Sequence, residues 1–291
     1  MNNSAKIALV TGGSRGLGRA TVEALAQRGV NVVLTYKTRL AEANEVVTRV
    51  EALGARAIAL PFSAGEIDTF DAFVSAFQGA LTELGADKFD YLVNNAGNAS
   101  GMGFLNATEA EFDALYCIHV KSVFFLSQKL LPLLADGGRI VNVSSGLTRI
   151  VMANRAPYAI MKSAVETLTR YMAFELGSRG ITVNCVAPGA IATDFSGGVV
   201  RDNPQVAQAV ANMTALGRPG LPEDIGPMIA SLLSDDHRWV NAQRIEVSGE
   251  CASERRKPGL FSSVVNRYVS GCRYSATLWR DKEIMICRVA R

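Results

Sequence analysis

Lys6-Ile7-Ala8-Leu9-Val10-Thr11-Gly12-Gly13-Ser14-Arg15-Gly16-Leu17-Gly18 holds a short apolar run, a glycine-rich turn and the opening of a helix. A strand so short and so apolar is expected to be buried on both faces, the habit of parallel sheets. Gly12, Gly16 and Gly18 would let backbone N–H groups come close to an anion at a helix N-terminus, where the dipole favours negative charge. A glycine-rich strand-to-helix turn with no ligand has the same local pattern, so the turn alone decides the fold rather than the chemistry.

Outward from that turn the pattern repeats. The spacing predicts a helix over 16–28, a strand over 30–35, a helix over 39–53 and a strand over 56–62. A long helix follows, in which Phe70, Phe73, Val74, Phe77, Leu81 and Leu84 recur at helical spacing as a core stripe. A fourth strand over 90–93 ends in Asn94-Asn95-Ala96-Gly97. Thr108 and Glu111 have capping-box spacing and open a helix over 109–133. A strand over 138–143 precedes a helix that starts near Pro157 and runs to about 179. A sixth strand over 181–186 stops at Pro188-Gly189, 196–213 is irregular and partly helical, 223–234 is a helix, and 244–247 is a seventh strand. Strands alternating with helices imply parallel pairing and right-handed crossovers. The expected fold is α/β, a doubly wound (Rossmann) parallel sheet of about seven strands with helices on both faces, in one domain over 1–249.

The bulk properties suit that fold. The 291 residues are 48% hydrophobic and 20% charged, enough for a sizeable core. No apolar run approaches the roughly 18 residues of a membrane helix. The first residues lack a charged-then-apolar leader layout, so a cytoplasmic protein is expected. Five cysteines at 117, 185, 251, 272 and 287 show no metal spacing and fit free thiols in a reducing compartment. The net charge of +3 is uneven, because residues 251–291 hold nine Lys/Arg against three Asp/Glu. No recognisable nucleic-acid module accompanies that excess, so neither nucleic acid nor membrane is expected as a partner.

Four strand ends converge: the glycine turn, the Asn-Asn-Ala-Gly turn, Ser144-Ser145 and Pro188-Gly189. In doubly wound sheets ligands bind beyond such carboxyl ends. Near them, Tyr158 and Lys162 are four residues apart and share a helix face, with Ser145 thirteen residues before Tyr158. A free phenol titrates near pH 10 and is a poor acid or base at neutrality. A neighbouring ammonium lowers that value, so Tyr158 could exchange a proton with a developing alkoxide while Ser145 donates a hydrogen bond to the same oxygen. With the glycine turn, this set points to carbonyl/alcohol redox chemistry on a nicotinamide cofactor.

Thr11-Gly12-Gly13-Ser14-Arg15-Gly16-Leu17-Gly18, Asn94-Asn95-Ala96-Gly97, Ser145, Tyr158-x-x-x-Lys162 and Pro188-Gly189-Ala190-Ile191-Ala192-Thr193 together resemble the short-chain dehydrogenase/reductase family. The resemblance covers about 5–249 and is nearest to single-domain members labelled 3-oxoacyl-carrier-protein reductases. It implies that Lys162 also binds the nicotinamide ribose and that Pro188, Gly189, Ile191 and Thr193 hold the carboxamide end. Asn95, Ala96 and Gly97 would lie along the cofactor with Ser14, Arg15 and Leu17. Tyr36 stands where a carboxylate would select NAD, followed by Lys37, Thr38 and Arg39. With Arg15 those cations suit a 2′-phosphate, so NADP(H) is expected over NAD(H).

Three departures stand out. His119 occupies the place of a catalytic-tetrad Asn, where it would either keep a proton relay or serve as a buried structural histidine. Ser63 replaces an Asp that contacts adenine. Residues 250–291 do not resemble the family and form an atypical basic tail, read as a disordered extension, a frame-shifted end or a cap on a subunit interface. Residues 194–217 read as a substrate lid, and Met102, Leu147, Ala190 and Phe195 either line an apolar pocket or pack as ordinary loop residues. The expected partners are a small carbonyl or alcohol substrate and further copies of the chain, as a homodimer or a homotetramer, the tetramer being in doubt because of the tail. Open alternatives are a β-ketoacyl thioester reductase and a catalytically weak nicotinamide-binding scaffold or sensor.

Overall fold

The computed structural model describes residues 5–99 and 101–251, and the expectations for 252–291 lie outside the described residues. Seven strands form one parallel sheet in the order β3-β2-β1-β4-β5-β6-β7. They are β1 (Ile7–Val10), β2 (Asn31–Tyr36), β3 (Ala57–Pro61), β4 (Phe89–Asn94), β5 (Leu134–Val143), β6 (Thr182–Pro188) and β7 (Arg244–Val247). The order reverses between β1 and β4, which opens a crevice at their carboxyl ends.

Alternation along each strand feeds two cores. Ala8, Val10, Val32, Leu34, Val93 and Val141 face α1 (Gly16–Ala26), α2 (Leu40–Ala52) and α9 (Pro222–Leu232). Ile7, Leu9, Val33, Leu92 and Ile140 face α3 (Phe70–Glu83), α5 (Ser122–Leu130) and α6 (Ala156–Glu175). The α3 stripe is core as expected, with Phe70, Phe77 and Leu81 fully buried. Each such side chain contributes about 1.5–3 kcal/mol through burial. No helix among the described residues is long and apolar enough to cross a membrane.

The helix expected over 109–133 is interrupted. The Thr108–Glu111 capping box starts α4 (Glu109–Tyr116), a π-helical turn spans Cys117–Lys121, and α5 completes the rod. A π turn inserts one residue and re-aims the side chains within it, a device common at functional sites. The helix expected to reach 179 ends at Glu175 and gives way to a 3-10 turn over Gly177–Arg179. The lid region holds two helices, α7 (Val199–Asp202) and α8 (Pro204–Met213), the second capped by Asn203, whose side chain accepts from the N–H groups of Gln205 and Val206. Beyond α8, Thr214 bridges to Cys251, while the N–H groups of Ala215 and Leu216 donate to Glu250 and Gly249.

Candidate active site

The floor is assembled from strand ends. Gly12 has φ +65°, and a Cβ on Gly18 would lie 2.1 Å from the Gly12 carbonyl oxygen, so only glycines close this turn onto α1. The turn is tied to the end of β4 through the Asn95 side-chain amide, which donates to the carbonyls of Thr11 (2.9 Å) and Gly12 (3.1 Å). The Thr11 hydroxyl accepts from the N–H groups of Asn95 and Ala96. Asn95 thus serves the loops themselves.

Beside it, β5 delivers Ser144 and Ser145. The Ser145 hydroxyl caps the short turn Gly146–Thr148 by accepting from Leu147 N at 3.2 Å, and it faces the same cavity as Tyr158. Tyr158 and Lys162 rise from the first turns of α6 and are 7% and 5% exposed. The Lys162 ammonium donates to the Val143 carbonyl at 2.7 Å and lies 5.7 Å from the Tyr158 ring centroid. The π turn brings in His119, 1% exposed, its ring edge-on to Tyr158 at 5.2 Å. His119 Nε2 lies 2.8 Å from the Asn98 carbonyl, which can only accept, so the proton sits on Nε2. Nδ1 is then a bare acceptor, buried without a partner among the described residues.

Burial governs the electrostatics. It pushes Tyr158 well above the ordinary phenol range, and the Ser145 hydrogen bond and Arg155 charge pull the other way without prevailing. The sequence led us to expect the Lys162 ammonium to lower Tyr158. In the protein itself desolvation outweighs every opposing contribution. Burial likewise lowers Lys162 to about 8 and His119 to about 3, the latter helped by the nearby Lys162 charge. Lys162 is therefore a poised cation and His119 a neutral imidazole at pH 7.

One chamber of about 550 Å³ runs over these groups. Its outer end is formed by the glycine turn (Gly12, Ser14, Arg15, Gly16, Leu17, Gly18) with Tyr36, Lys37, Thr38 and Arg39. Asn95, Ala96, Gly97 and His119 line its middle with Ser145, Tyr158 and Lys162. Pro188, Gly189, Ala190, Ile191 and Thr193 continue from β6, and Leu147 and Phe195 close in beyond, Phe195 standing 6.1 Å from the Tyr158 ring. Two expected residues are elsewhere. Ser63 does not line the chamber, since its hydroxyl donates to Glu66 at 2.8 Å while its neighbours Phe62 and Ala64 form the wall. Met102 also lies outside the wall.

Several wall residues escaped the sequence analysis: Ile150, Met152 and Arg155 after β5, and Val206, Val210 and Met213 from α8. The last three follow one face of α8, a spacing that could have been read. Asp194 at the lid's start pairs with Arg201 and lies 3.7 Å from Arg15 of the glycine turn, joining lid to turn.

Residues 12–249 match the family described as Enoyl-(Acyl carrier protein) reductase. The chain is 37% identical over 254 residues to versicolorin reductase 1 of Dothistroma septosporum, a match covering 84% of this chain and 95% of that protein. It is 34% identical over 255 residues to the hydroxynaphthalene reductase-like protein Arp2 of Metarhizium brunneum, covering 84% and 94%. Among solved structures, the angucycline C-6 ketoreductase LanV with bound NADP is 36% identical, covers 86% of this chain and 96% of its own, and superposes with a TM-score of 0.81.

Proposed function

The chain belongs to the short-chain dehydrogenase/reductase family, and on that premise we propose that it is an NADPH-dependent reductase of ketones on fused-ring aromatic compounds. The observation that carries this reading is a single chamber with a glycine cradle and cations at one end, Ser145, Tyr158 and Lys162 in the middle, and an apolar wall at the other.

The residues present fit the cofactor. The Gly12–Gly18 approach leaves no room for a side chain in the cradle. Lys37 and Arg39 with Arg15 would hold a 2′-phosphate, and Lys162 the nicotinamide ribose. When bound, NADPH supplies a hydride to the carbonyl carbon. The protein's part is to bind the carbonyl oxygen and deliver a proton to it. Ser145 donates a hydrogen bond as negative charge develops on that oxygen, which is where preorganised donors act most strongly. Tyr158 gives up its Oη proton to the same oxygen. Its phenol is protonated at neutral pH, so the proton is present, and the charge of Lys162 near the ring favours its release. Lys162, fixed by Val143, places a positive charge beside the phenolate that this step leaves. His119, a neutral imidazole set edge-on to the Tyr158 ring, packs behind the phenol.

The substrate class rests on two supports. Ile150, Met152, Phe195, Val206, Val210 and Met213 give the inner end a broad apolar surface suited to flat rings. The relatives include a hydroxynaphthalene reductase-like protein and an angucycline ketoreductase. The test is steady-state oxidation of NADPH and NADH against polycyclic ketones, simple aldehydes and acetoacetyl thioesters, with Tyr158→Phe as control. Turnover of polycyclic ketones that prefers NADPH and disappears in Tyr158→Phe is expected. A preference for thioesters would move the function to β-ketoacyl reduction, and NADPH binding without any turnover would leave a binding protein.

A further inference from the structure

We propose that Glu166 and Arg244 are positioning residues that set the Ser145 hydroxyl against Tyr158, a proposal resting on the reading of Ser145 as the donor to substrate. Neither residue lines the chamber. Yet both fasten the loop that carries Ser145 to the helix that carries Tyr158.

Glu166 lies one helical turn beyond Lys162 and two beyond Tyr158, so it shares their face of α6 and their register. Its carboxylate oxygen Oε1 accepts from Ser144 Oγ at 2.7 Å, from Thr148 Oγ1 at 2.8 Å and from Arg244 Nε at 2.7 Å. Ser144 and Thr148 flank the catalytic serine. Arg244, from β7, reaches the same loop with Nη2, donating to the Ser145 carbonyl at 3.3 Å and to Thr148 Oγ1 at 3.0 Å. Its Nη1 donates to Glu246 at 3.0 Å, and Glu246 in turn accepts a two-pronged contact from Arg149 in the same loop. The backbone on both sides of Ser145 is therefore clamped to α6 and to the sheet edge by charge-assisted hydrogen bonds. The Glu166 side chain is 14% exposed and that of Arg244 25%, so solvent screens the pair only in part.

A clamp at this place acts on geometry. The Ser145 hydroxyl already accepts from Leu147 N in its own loop, so its direction follows the loop. Misplacing a reacting group by about 1 Å can cost on the order of 100-fold in rate. If Glu166 acts only through Ser145, its loss should cost nothing once Ser145 has no hydroxyl.

The experiment is a double-mutant cycle on kcat with the best ketone, using Glu166→Gln, Ser145→Ala and the pair, with NADPH affinity by calorimetry and melting temperature for each. Ser145→Ala should lower kcat about 100-fold or more. Glu166→Gln should lower kcat about tenfold while KM and NADPH affinity stay within about twofold. The double variant should match Ser145→Ala within about twofold. A Glu166→Gln penalty that persists undiminished beside Ser145→Ala would overturn the proposal while leaving Ser145 as donor. A wild-type kcat in Ser145→Ala would remove the donor reading, and the proposal with it. Should Glu166→Gln fail to fold, Arg244→Lys and Thr148→Val carry the same cycle. Arg244→Lys keeps the charge and loses the fork, so a wild-type kcat there would also overturn the clamp.

Discussion

The imidazole of His119 lies so close to Gly97 that a methyl group placed on Gly97 would stand 2.7 Å from His119 Cε1 and 3.2 Å from Nδ1. Gly97 has no positive φ, so its backbone would tolerate any side chain and the restriction is steric. Gly97→Ala should destabilise the fold by about 1–3 kcal/mol, since the ring is buried and cannot swing into solvent. Pairing it with His119→Ala should recover most of that loss. Urea unfolding of the single and double variants measures both, and equal loss in the two would show that the contact is not the cause.

The rate should fall above about pH 8. Lys162 carries its charge below that value and loses it above, while the phenol of Tyr158, pushed upward by burial, keeps its proton. The descending limb of kcat/KM therefore belongs to the lysine of the free enzyme. Lys162→Arg should retain some activity and lose the limb, because a guanidinium does not titrate in this range. A limb unchanged in Lys162→Arg would assign it to another group.

His119 should make the fold sensitive to acid. In the unfolded chain it takes a proton as pH falls through 6.5, and in the folded protein only near about 3. Its stabilising contribution is complete above pH 6.5 and is lost as pH falls from 6.5 toward 3, at up to about 1.4 kcal/mol per unit. The drop in unfolding free energy from pH 7 to pH 5 should be smaller in His119→Asn than in the native chain. Equal drops would contradict a buried neutral imidazole.

Two adjacent residues past β7 should respond in opposite directions. Glu250 has φ +58°, a conformation that strains a residue with a side chain, so Glu250→Gly should stabilise by about 0.5–1 kcal/mol. Gly249 has φ +62° and its Cβ would meet Thr214 Cγ2 at 2.9 Å, so Gly249→Ala should destabilise by more. Melting temperatures should move up by about 1–4 °C for the first and down for the second.

Cofactor preference should rest on the strand-end cations. Lys37→Ala combined with Arg39→Ala should raise KM for NADPH about tenfold or more and leave KM for NADH within about twofold. A parallel rise for both cofactors would place the discrimination elsewhere.

The sheet was legible because its strands are apolar on both faces and separated by glycine and asparagine turns, which few other arrangements produce. Leu134 to Gly137 was missed as strand, since Asp136-Gly137-Gly138 reads as a turn and the pairing with β4 is irregular between Phe89 and Tyr91. The π turn was invisible because nothing in the composition of Cys117 to Lys121 separates one extra residue in a turn from a continuous helix. The glycine turn, Ser145, Tyr158 and Lys162 line one chamber, a convergence their residue types and spacing led us to expect. Ser63 could not be judged, because whether a hydroxyl faces the chamber or its neighbour Glu66 depends on the turn that follows β3. Glu166 and Arg244 are 78 residues apart and meet only in the folded chain. Asn203-Pro204 before Val206, Val210 and Met213 was a helix start that could have been recognised.

The chamber's two ends are built differently. Tyr158 and Lys162 stand on α6 and Ser145 on the loop just past β5, whereas the apolar ceiling comes from α7 and α8, entered through Ser196, Gly197 and Gly198 in left-handed backbone. At its far side the ceiling hangs from the sheet edge by the main-chain bonds of Ala215 and Leu216. Floor and ceiling are thus separable inheritances. A descendant could exchange the segment from Phe195 to Met213 for one of another shape while the floor beneath it stayed as it is, and an engineer could take the same route by grafting.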